Sequence, residues 1–258
     1  MKTSILVPTW NLKDKLDRCL TSVYKYTDMD NVQLVIADNG STDGTHEMVM
    51  DKHFREGNDV YLRFAENHGF AKATNLAAAS ADGELLLMLN NDVYVAEEGW
   101  LENMLSCMYN GSDIVGHKLL YENDTIQHIG LSFLKEEGMP YHLHRNDKDD
   151  NLEYGYDRTA LAVSFACALI SKNVYGKLAG LDENYSNGYE DIDMCLKLSQ
   201  YGGKISVACA KKIYHDECST VDRHKYEKEN AMLFITKWHK PLFGLQNIYN
   251  LQKAGGAV

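Results

Sequence analysis

A few side chains of this sequence are of types that could do chemistry together. Asp92 closes Asn90-Asn91-Asp92, directly after the unbroken apolar run Leu85 to Leu89. A carboxylate and two amides delivered by a buried strand are placed to hold a divalent cation against an anionic ligand such as a diphosphate. The same triplet could instead close a hairpin as a plain turn. Asp38 follows a second apolar run, Val32 to Ala37. It could accept from a nucleobase imide or a ribose hydroxyl, with Thr9 and Asn11 framing the same base, or simply start a turn. Three consecutive runs ending in small polar residues favour the functional reading.

The stretch Asn67 to Asn75 (NHGFAKATN) opens a helix behind Gly69. Backbone N–H groups at such a start receive phosphate, and Lys72 adds a cation; a merely solvated Lys72 is the alternative. Glu190 and Asp191 stand where a turn meets a helix, whose positive end would keep an Asp ionised as a general base for a hydroxyl. Asp193 reads as an ordinary helix former paired with Lys197. His215, after a short strand, could ligate a metal or hydrogen-bond a loop carbonyl.

The elements that position these residues alternate. Ser4 to Pro8, Val32 to Ala37, Tyr61 to Phe64 and Leu85 to Leu89 read as strands, with helices at Asp14 to Lys25, from about Asp43, and at Ala71 to Ala81. Such alternation at close spacing predicts a parallel, doubly wound, nucleotide-binding half over 1–96, with ligands at the carboxyl edge of the strands. Beyond it, 97–222 predicts a mixed half: a helix at Trp100 to Tyr109, strands at Ile114 to Leu120 and Ile126 to Leu134, a mobile loop from Lys135 to Asp157, and a helix from Asp191 to Tyr201. An amphipathic helix, Tyr226 to Trp238, and a tail complete residues 223–258. No repeat or low-complexity linker divides the chain, so one continuous domain over 1–258 is expected.

Composition narrows the function. A net charge of -11 argues against nucleic acid as a general partner and against an electrostatic hold on anionic lipid. No run of about 18 apolar residues and no leader pattern is visible, so a soluble protein is expected. Six cysteines with no CxxC pair read as reduced thiols of a cytoplasmic protein. GxxxxGK[ST] is absent, and so is GxGxxG after the first strand, which removes the main support for ATPase and nicotinamide readings.

Taken in order, Ile5 to Asn11 (ILVPTWN), Val35 to Thr45 (VIADNGSTDGT), Glu66 to Asn75, Ala81 to Val95 (ADGELLLMLNNDVYV), Leu178 to Leu198 (LAGLDENYSNGYEDIDMCLKL) and His215 resemble the family-2 glycosyltransferases, inverting nucleotide-sugar enzymes of the GT-A fold. The chain looks most like the rhamnosyltransferase-type members, whose Asn123 to Phe133 stretch (NDTIQHIGLSF) it also resembles. The resemblance implies an α/β GT-A fold with a Rossmann-like, mostly parallel central sheet flanked by helices. It implies that Asp38 reads uracil or thymine with Thr9 and Asn11, and that Gly69, Lys72, Asn75, Asn90 and Asn91 line the donor site. It further implies that Asp92 and His215 hold Mn2+ or Mg2+, and that Asp191, with Glu190 beside it, deprotonates a saccharide or glycoconjugate acceptor. Two departures stand out. Many members have Asp-x-Asp where this chain has Asn90-Asn91-Asp92, and two glycines where it has Ala179-Gly180. A sugar-phosphate nucleotidyltransferase and a catalytically silent nucleotide-sugar-binding homologue are the alternatives on sequence grounds.

Overall fold

The structure, a computed structural model, describes residues 1–134, 138–217 and 223–239, with residues 223 and 224 as backbone only. The chain runs β1 (Thr3–Thr9), α1 (Lys13–Tyr26), β2 (Val32–Asp38), α2 (Thr45–Lys52), β3 (Val60–Arg63), α3 (Phe70–Ser80), β4 (Leu85–Leu89), β5 (Val93–Val95), α4 (Trp100–Tyr109), β6 (Ile114–His117) and β7 (Leu119–Leu120). It continues through β8 (Ile126–His128), β9 (Leu131–Phe133), β10 (Pro140–His142), β11 (Arg158–Thr159), β12 (Cys167–Ser171), α5 (Lys172–Lys177), α6 (Glu190–Gln200), β13 (Ile205–Ala208) and β14 (Ile213–His215). A last helix, α7, spans 227–239.

One eight-stranded sheet, ordered β11-β13-β6-β12-β4-β1-β2-β3, runs through both expected halves. It is parallel except at β12, which lies antiparallel between β4 and β6, and at the edge pair β11/β13. The apolar run of β4 is continuous because both faces of the sheet are covered. Leu85, Leu87 and Leu89 pack into one core layer with α1 and α4, while Leu86 and Met88 pack into the other with the alanines of α3. From β1 the chain winds outward through β2 and β3, then returns to place β4 on the other side of β1. That reversal opens a crevice at the carboxyl ends of β1 and β4, where Thr9 and Asn90 to Asp92 stand.

Beyond β4 the sequence expectations need correction. Ile114 to Leu120 is two strands in two sheets, because the chain turns at Lys118; Ile126 to Leu134 likewise divides into β8 and β9. The segment Lys135 to Asp157, expected as a loop, carries β10 and a helical turn at Leu152–Gly155 where it is described. Its anchor is internal. Lys118, 4% exposed, puts Nζ 2.7 Å from Asp149 and donates to the Tyr154 carbonyl at 3.1 Å. Charge-bearing residues thus hold the segment down although its low hydrophobicity suggested the opposite.

Asp193, expected to be a plain helix former, is wholly buried. Its Oδ1 accepts from Trp238 Nε1 at 2.7 Å and lies 2.6 Å from Lys237 Nζ, so it ties α7 to α6. Cys218, Ser219 and the tail 240–258 lie outside the described residues. No helix among those described is long and apolar enough to cross a membrane.

Two histidines set an acid limit on this fold. His117 is fully buried, and burial pushes its pKa down to about 4; burial likewise holds His128 well below the usual histidine range. His117 remains neutral in the folded chain at pH 5 and burial opposes protonation of His128 in the same direction, whereas the unfolded chain takes up protons below about pH 6.5. Stability is therefore unaffected by these groups above that pH and falls as pH drops from 6.5 towards 4. Urea denaturation at pH 7 and pH 5 should show a loss of about 2 kcal/mol from His117, and His117→Phe should remove that share of the slope.

Candidate active site

The turn after β4 is fixed on three sides. Asn90 N–H donates to the Ala166 carbonyl at 2.9 Å, continuing the β4/β12 ladder, and Val93 N–H closes the turn onto the Asn90 carbonyl at 3.2 Å. Asn91 Nδ2 donates to Thr9 Oγ1 at 2.9 Å, which locks the turn to the end of β1. Asp92 is left at the crevice, 9% exposed.

His215 reaches it through strand register. β5 pairs antiparallel with β14, setting His215 opposite Val93, and Asp216 N–H donates to the Asp92 carbonyl at 3.0 Å. His215 Nε2 consequently lies 3.1 Å from Asp92 Oδ1. The other ring nitrogen contacts Gln127, not a loop carbonyl. Gln127 Nε2 donates to the His215 backbone oxygen at 3.0 Å, which orients the amide so that Oε1 accepts from His215 Nδ1–H at 2.6 Å. In the neutral ring Nε2 is then a lone pair aimed at a carboxylate oxygen. Two electron-rich atoms at that separation call for a cation between them, either a proton or a metal ion. A carboxylate and an imidazole suit Mn2+ or Mg2+ whose remaining ligands come from a diphosphate and water. Among the described residues no group of three or more His, Cys, Asp or Glu could hold a metal alone, so the pair depends on such outside ligands.

Asp191 belongs to the first turn of α6, behind Tyr189 at φ 76. Its Oδ2 accepts from Phe165 N–H at 3.2 Å and its Oδ1 from Ile192 N–H at 2.8 Å. Two N–H donors and the helix's positive end favour a charged carboxylate. Neighbouring Glu190 is 5% exposed and accepts from Gly188 N–H at 2.6 Å, which closes the turn ahead of the helix.

A cleft of about 570 Å3, within the range of small-molecule sites, is lined by Thr9, Gly69, Asn90, Asn91, Asp92, Glu190, Asp191 and His215. The structure gives the remaining candidates other work. Asp38 is fully buried and accepts from Ser41 N–H at 2.8 Å and from Tyr61 O–H at 2.6 Å. Asn11 accepts from Thr42 N–H at 2.9 Å, holding the first loop to the second. Lys72 is exposed and outside the cleft wall. Asn75 is fully engaged by Leu181, Tyr175 and Glu183. Its Oδ1 lies 2.6 Å from where a Cβ on Gly180 would be, and Gly180 has φ +70. Ala179 beside it sits at φ 63, so the departure from two glycines puts an alanine in left-handed backbone.

Sequence reasoning missed Asn39, whose side chain donates to the Gly69 carbonyl and accepts from His68 N–H, pinning the loop before α3. It also missed the turn segment 164–166 that leads into β12, and Gln127. The only signal for Gln127 was its place in the Asn123 to Phe133 stretch.

Gln127→Leu should keep the fold but free the His215 ring to turn, so nucleoside diphosphate affinity should lose roughly 10- to 100-fold of its Mn2+ dependence. Gln127→Glu should retain an acceptor for Nδ1–H and bind closer to wild type. Calorimetry of the three proteins with and without Mn2+ reads the difference.

Comparison with known proteins bears on the family and the fold. Residues 4–176 match the model of the family described as "Glycosyl transferase family 2". The match is to the family as a whole. An O-antigen biosynthesis protein, RfbC, of Myxococcus xanthus is 26% identical over 85% of this chain and 18% of its own length. The hyaluronan synthase of Pasteurella multocida is 23% identical over 91% of this chain and 22% of its own length. The chain thus spans about a fifth of either relative. The structure of GalNAc-T7 with UDP, GalNAc and Mn2+ superposes with a TM-score of 0.66 at 15% identity, covering 83% of this chain and 44% of the other. That of S. aureus TarS 1–349 with UDP-GlcNAc superposes at 0.61 and 20% identity, covering 91% and 67%. These likenesses show a shared GT-A fold. Two thirds of the chain matches the family model, the sheet has the matching fold, and the chain belongs to glycosyl transferase family 2.

Proposed function

We propose that this transferase moves a sugar from a UDP- or dTDP-sugar to a hydroxyl of a saccharide or glycoconjugate, with inversion at the anomeric carbon. The observation that carries the reading is a single cleft with a cation-ready Asp92–His215 pair and a backbone-held carboxylate, Asp191, in its wall. The UDP, GalNAc and Mn2+ named for GalNAc-T7 and the UDP-GlcNAc named for TarS support it as chemistry of fold relatives.

In this mechanism Asp191 accepts the proton of the acceptor hydroxyl as its oxygen bonds to the anomeric carbon, and the bond from that carbon to the diphosphate oxygen breaks. Attack from the face opposite the leaving group inverts configuration. Asp92 and His215 are the residues that would hold Mn2+ or Mg2+, which when bound neutralises charge on the departing diphosphate. Thr9 and Asn91 brace that end of the cleft, and the N–H groups behind Gly69 face phosphate. Base choice rests on Thr9 in the cleft wall, while Asp38, its fully buried partner across the β1/β2 ladder, acts only by fixing the second loop through Ser41. Five cysteines are buried free thiols, which suits a reducing, cytoplasmic setting.

Asp191→Asn keeps the shape and one of the two backbone contacts, since its amide oxygen can accept from only one of Phe165 N–H and Ile192 N–H, and it removes the base. UDP affinity should be unchanged while transfer falls by about 100- to 10,000-fold. Turnover close to wild type would remove Asp191 from this role. Asp92→Ala tests the other wall: UDP binding should become insensitive to Mn2+, because His215 alone binds a hard cation weakly. Equal Mn2+ enhancement in wild type and variant would show the pair to be structural.

A further inference from the structure

The backbone leading into α6 takes a strained course. Asn187 lies at φ 60 and Tyr189 at φ 76, so two non-glycine residues within three positions are left-handed. Backbone of this kind persists only where its surroundings hold it. Gly188 N–H donates to Glu190, but that bond lies inside the turn and moves with it. The hold from outside comes from α7.

One face of α7 carries Asn230, Phe234, Lys237 and Trp238, at i, i+4, i+7 and i+8. Asn230, 4% exposed, grips the Ser186 backbone twice: its Oδ1 accepts from Ser186 N–H at 3.0 Å and its Nδ2 donates to the Ser186 carbonyl at 2.9 Å. Phe234, fully buried, sets its ring 5.2 Å from that of Tyr189, the residue that caps α6. Lys237 Nζ and Trp238 Nε1 lie 2.6 and 2.7 Å from Asp193 Oδ1, on the first turn of α6. The face thus fastens the chain ahead of Asp191, at the helix cap and just behind Asp191. Both helices lie beyond residues 4–176, the stretch that matches the family model.

We propose that Asn230 is a positioning residue for the reaction: by clamping Ser186 it keeps the strained turn in the course that presents Asp191 to the attacking hydroxyl. It rests on the reading of Asp191 as the base. The first turn of α6 carries Asp191, and its direction follows from the backbone of 186–189. A displacement of about 1 Å in a positioned group costs on the order of 100-fold in rate. Asn230 is outside the wall of the larger cleft, and Thr9, Asp92 and His215 stand on other elements. The diphosphate end of that cleft is therefore independent of the clamp, and its loss acts on turnover.

Release of free nucleotide from UDP- and dTDP-sugars, with water as acceptor, tests this on the full chain. Wild type, Asn230→Ala, Asp191→Asn and the double variant are compared, with UDP affinity read by calorimetry in Mg2+. Asn230→Ala should lower kcat about 10- to 100-fold and leave donor KM and UDP affinity within about twofold. It should cost nothing further where Asp191 is already Asn, because a residue that acts through the base has nothing left to position. Trp238→Phe keeps an aromatic ring in place but removes the donor to Asp193, and should show the same split at smaller size. It also serves as the second probe should Asn230→Ala fail to fold. Unchanged kcat in the variants, a loss of UDP affinity as large as the loss of kcat, or an equal loss in the Asp191→Asn background overturns the proposal, the last two marking a merely structural role. A wild type that releases no nucleotide strikes the transferase reading instead, and Asp191→Asn as fast as wild type strikes the base.

Discussion

The site depends on the three-residue antiparallel ladder between β5 and β14. Its register sets His215 opposite Val93 and so beside Asp92, although the two residues are 123 positions apart in sequence, from 92 to 215. A slip of one residue would turn the imidazole to the other face of the small sheet. The ladder is short, so it is reinforced from outside. Asp216 N–H holds the Asp92 backbone, Gln127 of β8 holds the His215 ring and backbone together, and Asn91 fastens the turn to β1. Each bond satisfies a buried polar group while fixing a coordinate of the pair.

The opposite wall follows from β12. Because that strand runs antiparallel beside β4, its entry segment, 164–166, lies against the end of β4. Ala166 accepts from Asn90, Phe165 donates to Asp191 and Ser164 donates to His128. One short turn therefore spaces the cation-ready pair, the carboxylate and the buried His128. Backbone groups do this work, so the stretch shows no chemical signature in its side chains.

That difference explains what was legible in the sequence. β1, β2 and β4 were visible because burial on both faces demands unbroken apolar runs, and each ended in polar residues at the crevice. Asp92, Asp191 and His215 were readable as side chains with chemistry to offer. Strands β6 to β9 are two to four residues long and change sheet at Lys118 and between His128 and Leu131. A single apolar run records no such change. Asp193 looked ordinary because its partners, Lys237 and Trp238, come from α7, and Lys72 and Asn75 looked functional because a helix start behind glycine does not reveal which way each side chain faces. Gln127 was invisible for a similar reason, since its importance lies in the ring it orients.

Asp92 and His215 are proposed to form one cation-holding centre at the leaving-group end of the cleft. Crystals grown with UDP and Mn2+, measured on both sides of the manganese absorption edge, test this. One anomalous peak bonded to Asp92 Oδ1, His215 Nε2 and the diphosphate oxygens is expected. An anomalous map with UDP in the cleft and no manganese at that pair, or manganese bound elsewhere, would contradict it.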